Sequence, residues 1–502
     1  MTEAKLQELK SRIAEISDLR AVAQVLSWDV ETYMPPGGAK VRGEQMATLR
    51  RLAHEKATSQ EYRQLIEELK PLGVQLPYDS NDAALIRVAA DRFEKDSLVP
   101  TDLVKEMSLA ASEGHVTWVK AREQSNFELF RVSLEKLLEL KIRWAECFPN
   151  RECLYDPILD QSEPGMKTSE LRQVFDELKR ELVPMVKAIS TQVESVDESV
   201  LRREYDETKQ LEFGHEVVKR FGFDFNRGRQ DKSVHPFMTG FNTGDVRITT
   251  RVDRRFLPMA LFGTMHESGH GMYGQGHDPT LNRTHLCNGA SGGMHESQSR
   301  LWENLVGRSR EFWTFFYPRL QEYFPQQLAD TGMVKFYRAI NKVKPSFIRT
   351  EADEVTYNLH IMLRFELEND MLEGRLKVKD VPQAWNAKVE SYLGITPPGD
   401  TLGCLQDIHW SSGGIGGFHS YTLGNIISVQ LFDHALQEMP DLRQQFTKGE
   451  FGNLLAWLGK NVHIHGRKFT PTELLVRVTG QPLTSVPYIN YLKKKFGEIY
   501  RL

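Results

Sequence analysis

Along most of this chain apolar residues recur at intervals of three and four, and that period points to a helical body. "AALIRVAADRFEKDS", "SLEKLLELKIRWAECF", "SELRQVFDELKRELVPMVKAI" and "TYNLHIMLRFELENDMLEG" each gather their large hydrophobic side chains on one helical face. Thr168, Ser169 and Glu170 supply a start signal for one of these helices, and Pro or Gly punctuates many ends. β-like runs are few. "SVHPFMTGF" and "DVRITTRVD", separated by "NTG", predict a hairpin, and "KPSFIRT" is expected to add a third strand. The fold class expected is mainly α, with a small β-sheet element beside a central site.

Charge and hydropathy narrow the partners. The formal net charge is −4, so there is no electrostatic reason to expect nucleic acid or an anionic membrane surface. No run of eighteen or more apolar residues is present to span a bilayer. The N-terminal "MTEAKLQELKSRIAEI" reads as an amphipathic helix with no apolar signal region. Cys147, Cys153, Cys287 and Cys404 are too few for a disulfide framework in 502 residues. Reduced thiols and a cytoplasmic location are the expectation.

The triplet His-Glu-Ser occurs twice, in "GTMHESGH" and in "GGMHESQSR". In the first copy His266 and His270 stand four residues apart, so both imidazoles leave one face of a helix and can meet a single tetrahedral ion. Glu267 lies one residue round, close enough to take a proton from a water on that ion without being a ligand. Such a zinc site needs a third protein ligand and an open fourth position. A third His at the H-E-x-x-H-x-x-G-x-x-H spacing would fall on Gly276, so a carboxylate from a later helix is expected instead. Glu296 in "MHESQSRLWENLVG" is the first choice, with His295, His285, Asp278 and Glu303 as competitors. The letters repeat but the roles differ. His295 would be a neighbour supporting a ligand.

These two segments resemble the Taq-type thermostable metallocarboxypeptidases, whose zinc-binding H-E-x-x-H helix is followed by an H-E-S that supplies the third ligand. The resemblance extends to "VLSWDVETYMPPGGAKVRGEQMATL", "LYDPILDQSEPGM", "HPFMTGFNTGDVRITTR", "IRTEAD" and "GCLQDIHW", in that order along the chain. It implies a helical fold with a deep substrate groove, one catalytic domain over 1–502 built as two lobes, and a homodimer. It also implies removal of single residues from peptides with a free C-terminus, with Zn²⁺ as cofactor, replaceable by Co²⁺ or Mn²⁺. One departure is visible. The family commonly reads G-Y-F-P-S-Y after its Q-D-x-H-W loop, whereas here Gly417 and His419 replace the Tyr and the Pro, and Tyr421 is kept.

Chemistry assigns the remaining roles. A chain-end peptidase needs a cation aimed at the terminal carboxylate, and the bidentate fork of arginine suits it. Arg349 in "FIRTEAD" is the choice, because it follows a strand-like run and the resemblance implies that this motif lies at the closed end of the groove; an internal ion pair to Glu351 or Asp353 is the structural alternative. Tyr421 and His409 are candidate donors to the oxyanion. Asp245, Arg247 and Thr249 alternate along a strand and are expected to form one supporting network. Asp407 is expected to orient a ligand His or to cap a turn, and Trp28 and Asp29 to pack. The rival readings are an oligoendopeptidase or dipeptidyl carboxypeptidase of the same zinc chemistry, and a non-catalytic peptide-binding helical protein.

Overall fold

Leu6, Leu9, Ile13 and Ile16 repeat at three and four along the helix Thr2–Thr32, and all four are buried in the computed structural model, which describes residues 2–502. They pack on Tyr62, Leu65, Ile66 and Leu69 of the helix Gln60–Gln75 and on Ala84, Leu85, Ile86 and Ala89 of the helix Asn81–Leu98. The same period operates elsewhere, giving twenty α-helices among the described residues. The expected mainly α class is what forms. Among the described residues no helix is long and apolar enough to cross a membrane, and the four cysteines are free.

The chain forms two compact units, each assembled from discontinuous segments. The first comprises 1–97, 198–340 and 431–482, and the second 98–197, 341–430 and 483–502. The first holds a three-stranded sheet of order β1-β3-β2, with β1 at Gly228–Lys232, β2 at Met238–Asn242 and β3 at Asp245–Thr250. β2 and β3 form the expected antiparallel hairpin, closed where the Asn242 side chain accepts the Gly244 amide at 2.8 Å. The third strand is not where the sequence put it. β1 pairs parallel with β3, and "KPSFIRT" is a loop ending in a short 3-10 turn at Arg349–Glu351. Pro345 offers no amide, and the side chain of Gln406 stands in for a neighbouring strand: it donates to Phe347 O and accepts from Arg349 N, both at 2.9 Å.

β3 lies against the helix Leu257–Gly276, which carries the first triplet. Contact is that close because the helix presents glycines: a Cβ on Gly271 would meet Ile248 of β3 at 3.2 Å and Phe223 at 2.6 Å, and one on Gly274 would meet Val246 of β3 at 3.5 Å and Met238 of β2 at 2.8 Å. Polar bonds fix the azimuth, with Thr264 Oγ1 donating to Thr250 Oγ1 at 3.2 Å and accepting from Gln230 at 2.7 Å. The second triplet begins the helix Gly292–Arg300, capped by Ser291, whose hydroxyl accepts from Met294 N at 2.9 Å. That helix widens into a π turn over Leu301–Val306. In the second unit the helix Thr356–Leu372 is buried nearly all round, polar residues such as Asn358, Arg364 and Glu368 included.

The two triplet helices touch at Gly269, where a Cβ would sit 2.5 Å from Gln298 O and 2.7 Å from Ser299 Cα. Both are backbone atoms and cannot swing away. Gly269→Ala is therefore expected to lose about 1–3 kcal/mol of stability and to weaken metal binding together with it. An unchanged thermal midpoint in that variant would show that the helices are not in the contact described.

Candidate active site

His266 and His270 project from one face of their helix with ring centroids 4.9 Å apart. Their outer nitrogens decide what the inner ones can do. His270 Nδ1 lies 3.0 Å from the carbonyl of His295, which can only accept, so the ring carries its proton there. His266 Nδ1 lies 2.9 Å from Glu303 Oε2, and the same logic applies because Glu303 is held as a carboxylate. Burial works against that charge, but Arg300, the His266 hydrogen bond and Arg308 bring its pKa down to about 2. Nε2 is thereby the nitrogen each ring can offer to a metal, and both Nε2 atoms lie near one carboxylate oxygen. Glu296 Oε2 stands 3.6 Å from His266 Nε2 and 3.3 Å from His270 Nε2. Ligands about 2.0–2.1 Å from a tetrahedral ion are roughly 3.3 Å from one another, so this spacing fits a divalent cation.

The expected third ligand is therefore the residue the structure brings to the pair. Glu296, His266 and His270 form a group whose ligand atoms lie within 4.8 Å of one another, and no fourth His, Cys, Asp or Glu joins it among the described residues. Glu296 is kept ionised: burial opposes the charge, but Arg300, His266 and His270 hold its pKa far below the usual carboxylate range. Arg300 Nε donates to Glu296 Oε1 at 2.6 Å and Nη1 to Glu303 Oε2 at 3.3 Å. Glu296, Arg300 and Glu303 sit at i, i+4 and i+7 and share a face across the start of the π turn. The competing ligands have other duties. Glu303 and the His295 carbonyl support the two imidazoles, Asp278 caps a short 3-10 turn at Pro279–Leu281, and His285 Nε2 lies 3.3 Å from Tyr62 Oη. Glu267 is buried next to both ligand histidines in sequence and helix position. Burial raises its pKa, His266 and His270 pull against that, and Glu296 and Glu303 add to it, which is the direction a general base at neutral pH requires.

Arg349, Asp407, His409 and Tyr421 all fall in the second unit. Arg349 is 6% exposed and pairs with neither Glu351 nor Asp353. Asp353 instead caps the helix Thr356–Leu372, accepting from Val355 N and Thr356 N. The partner of Arg349 is Asp407, whose Oδ1 accepts from Nε at 3.1 Å and Nη2 at 2.9 Å, while Nη1 donates to Tyr357 Oη at 3.0 Å. Asp407 thus orients an arginine, not a ligand histidine. It is shared: Arg364, fully buried, donates through Nε to Asp407 Oδ2 at 2.7 Å. Burial disfavours ionised Asp407, but Arg364 and Arg349 push its pKa far down. Two guanidiniums on one carboxylate leave a positive charge over. Tyr421 lies beside it, its ring centroid 5.1 Å from the Arg349 guanidinium carbon. His409 lies tilted against Phe418 with ring centroids 4.3 Å apart, and burial lowers its pKa to about 4, so it is a neutral ring.

Sequence reasoning missed Arg364, which looks like an ordinary helix charge, and the bracing of His266 by Glu303. The single network expected of Asp245, Arg247 and Thr249 divides in two, with Asp245 and Arg247 paired to each other and Thr249 bonded instead to Ser233 and Phe237. Asp245 accepts both Nε and Nη2 of Arg247 at 2.9 Å, Arg247 lies 4.3 Å above the buried Trp28 ring, and Arg42 pairs with Asp29 at 2.7 Å. Thr249 Oγ1 accepts from Phe237 N at 2.9 Å and so pins the "HPF" segment.

A helical body carrying an H-E-x-x-H pair, a distant glutamate that could complete a metal site and a further buried carboxylate has the makings of a metallohydrolase. Comparison with known proteins makes the class specific. Residues 8–496 match the family model described as carboxypeptidase Taq (M32) metallopeptidase. The chain is 38% identical over 500 residues to carboxypeptidase 1 of Bacillus subtilis, covering 100% of this chain and 99% of that one. It is 38% identical over 509 residues to thermostable carboxypeptidase 1 of Thermus thermophilus, covering 99% of each. The crystal structure of the M32 carboxypeptidase from Deinococcus radiodurans superposes with a TM-score of 0.97 at 41% identity, over 99% of this chain and 100% of the other. The chain belongs to the carboxypeptidase Taq (M32) family and is a metallocarboxypeptidase, a peptide hydrolase.

Glu303→Gln keeps the shape of the group that holds His266 but removes its charge. Metal affinity measured by calorimetric titration is expected to fall roughly 10–100-fold. Wild-type affinity would refute the bracing role.

Proposed function

We propose that this metallocarboxypeptidase binds Zn²⁺ through His266, His270 and Glu296 and releases single residues from peptides with a free C-terminus. The observation that carries the reading is the commitment of both Nδ1 protons to oxygens, which leaves two Nε2 atoms and one Glu296 oxygen close together with no fourth protein ligand among the described residues. A structural zinc site closes with a fourth ligand, whereas a catalytic one keeps a position for water. Two imidazoles and a carboxylate also accept Co²⁺ or Mn²⁺, so supply decides occupancy. A divalent ion there would polarise the scissile carbonyl and acidify an attacking water.

The chain's own residues do the rest. Glu267, its proton affinity raised by burial, takes the proton from the attacking water and delivers it to the departing amine. Arg349 receives the terminal carboxylate. Three of its five N–H groups are given to Asp407 and Tyr357, so each Nη keeps one for substrate. The oxyanion is met by the Tyr421 hydroxyl, with neutral His409 as the second donor. In this reading 1–502 works as one catalytic domain, the enzyme is a cytoplasmic homodimer, and neither nucleic acid nor membrane takes part.

Glu267→Gln is expected to bind metal with near wild-type stoichiometry while turnover falls roughly 10²–10⁴-fold; undiminished turnover would remove Glu267 from the mechanism. Arg349→Ala is expected to lower kcat/KM on free-acid peptides on the order of 10²-fold, with little effect on the residual cleavage of C-terminally amidated ones. Equal losses on both would refute end recognition. Mass spectrometry of a digested peptide completes the test, because a ladder of one-residue steps is expected, and two-residue steps or internal cuts would replace this reading with a dipeptidyl or endopeptidase activity.

A further inference from the structure

His419, one of the two positions where the sequence departs from the family pattern, sits in a buried polar chain that the reaction above does not use. It begins the helix His419–Glu438 and is fully buried. Its Nε2 lies 2.7 Å from Ser162 Oγ, at the end of the short helix Asp156–Ser162, and its Nδ1 lies 3.3 Å from Tyr155 Oη. Tyr155 in turn donates to Glu368 Oε2 at 3.4 Å, and Trp410 Nε1 donates to Glu368 Oε1 at 2.8 Å. Burial pushes the His419 pKa down to about 3, so the ring is neutral at working pH and meets one of its two partners as donor and the other as acceptor.

The next residue is held as well, because Ser420 Oγ donates to Glu163 Oε1 at 2.8 Å. The residue after that is Tyr421. A helix's first turn is its least constrained part, since its amides have no intrahelical partners. Here the two side chains preceding Tyr421 are tied to the Tyr155–Glu163 segment, and Tyr155 is itself walled in by Phe365 at 5.2 Å.

We propose that His419 is a positioning residue: the Ser162–His419–Tyr155–Glu368 chain fixes the first turn of the helix and thereby the place of the Tyr421 hydroxyl beside Arg349. The inference rests on the reading of Tyr421 as an oxyanion donor. Such a donor acts only where the developing charge is, and displacement by about 1 Å costs on the order of 10²-fold.

The test combines four single and two double variants with steady-state kinetics and thermal unfolding. His419→Pro keeps the helix start, because proline is tolerated in a first helical turn, while deleting both hydrogen bonds. It is expected to lower kcat roughly 10–10²-fold with KM within about twofold of wild type. Ser162→Ala, which leaves the backbone alone, is expected to lower kcat in the same sense but less, and the Ser162→Ala/His419→Pro double variant to lose no more than His419→Pro. His419→Gln, whose amide can replace the bond to Ser162, is expected to recover part of the loss. Tyr421→Phe separates the two ideas. If it alone keeps wild-type kcat, the oxyanion reading fails and the positioning inference with it. If it is impaired and His419→Pro causes little further loss in that background, the positioning role stands. Full additivity of the two losses, or wild-type kcat in Ser162→Ala and His419→Pro, would overturn the positioning role and leave Tyr421 as donor. Should His419→Pro fail to fold, Ser162→Ala and His419→Gln decide by the same criteria.

Discussion

Two imidazole protons organise the metal centre. A histidine can ligate only through the nitrogen that lacks a hydrogen, and which one that is depends on what the other nitrogen meets. At His270 the partner is a backbone carbonyl, fixed by the helix that also carries Glu296. At His266 it is a carboxylate one π turn further on. The candidate third ligand and both tautomer locks therefore come from a single stretch, 295–303, and its placement depends on Gly269 allowing that stretch within van der Waals distance of the H-E-x-x-H helix. Any shift of one helix against the other would disturb a ligand and two locks together. Ligand geometry and helix packing are one property here.

The pairing of Arg349 with Asp407 shows a second use of buried charge. A lone guanidinium at 6% exposure would carry a large desolvation cost. A one-to-one pair with Asp407 would remove that cost and also the attraction for a substrate carboxylate. Adding Arg364 to the other carboxylate oxygen resolves the conflict, because Asp407 is then shared and an unsatisfied positive charge persists. Gln406 completes the arrangement by bonding the backbone on both sides of Ile348. Adjacent residues of the "QD" pair hold the backbone and the side chain of the same arginine.

What could be read in the sequence was what depends on period and spacing. Leu6, Leu9, Ile13 and Ile16 mark their own helix, "NTG" marks the β2–β3 turn, and the four-residue step from His266 to His270 marks the metal face. Glu296 was legible because the open ligand position demanded a carboxylate within reach. What escaped has no local signature. β1 reads Gly-Arg-Gln-Asp-Lys, with no alternation of apolar and polar residues, and it exists because the edge of β3 is available to it. "KPSFIRT" has the β-branched and aromatic content of a strand, but its backbone is satisfied by a glutamine side chain 57 positions from Arg349. Arg364 and Asp407 are likewise bound to groups remote in sequence, and no periodicity reports who shares whom. The π turn is equally silent, since its residues have ordinary helical patterning and differ only in how the backbone closes.

The two centres can be compared by formal charge. Around the ligand histidines, the carboxylates of Glu267, Glu296 and Glu303 face the guanidiniums of Arg300 and Arg308, which leaves one negative charge before any cation binds. Around Asp407 the balance has the opposite sign. Each excess is a single unit, small enough for the folded chain to tolerate and opposite to the group it is to receive. A metal centre left neutral would hold a divalent ion less firmly, and one with two unpaired carboxylates would drive Glu267 to take up a proton permanently and end its use as a base. Arg300 is the residue that sets this balance, because it touches the ligand Glu296 and the brace Glu303 at once. Its charge is what allows three buried carboxylates to share one site while only Glu267, which it does not contact through any bond described above, keeps a raised proton affinity.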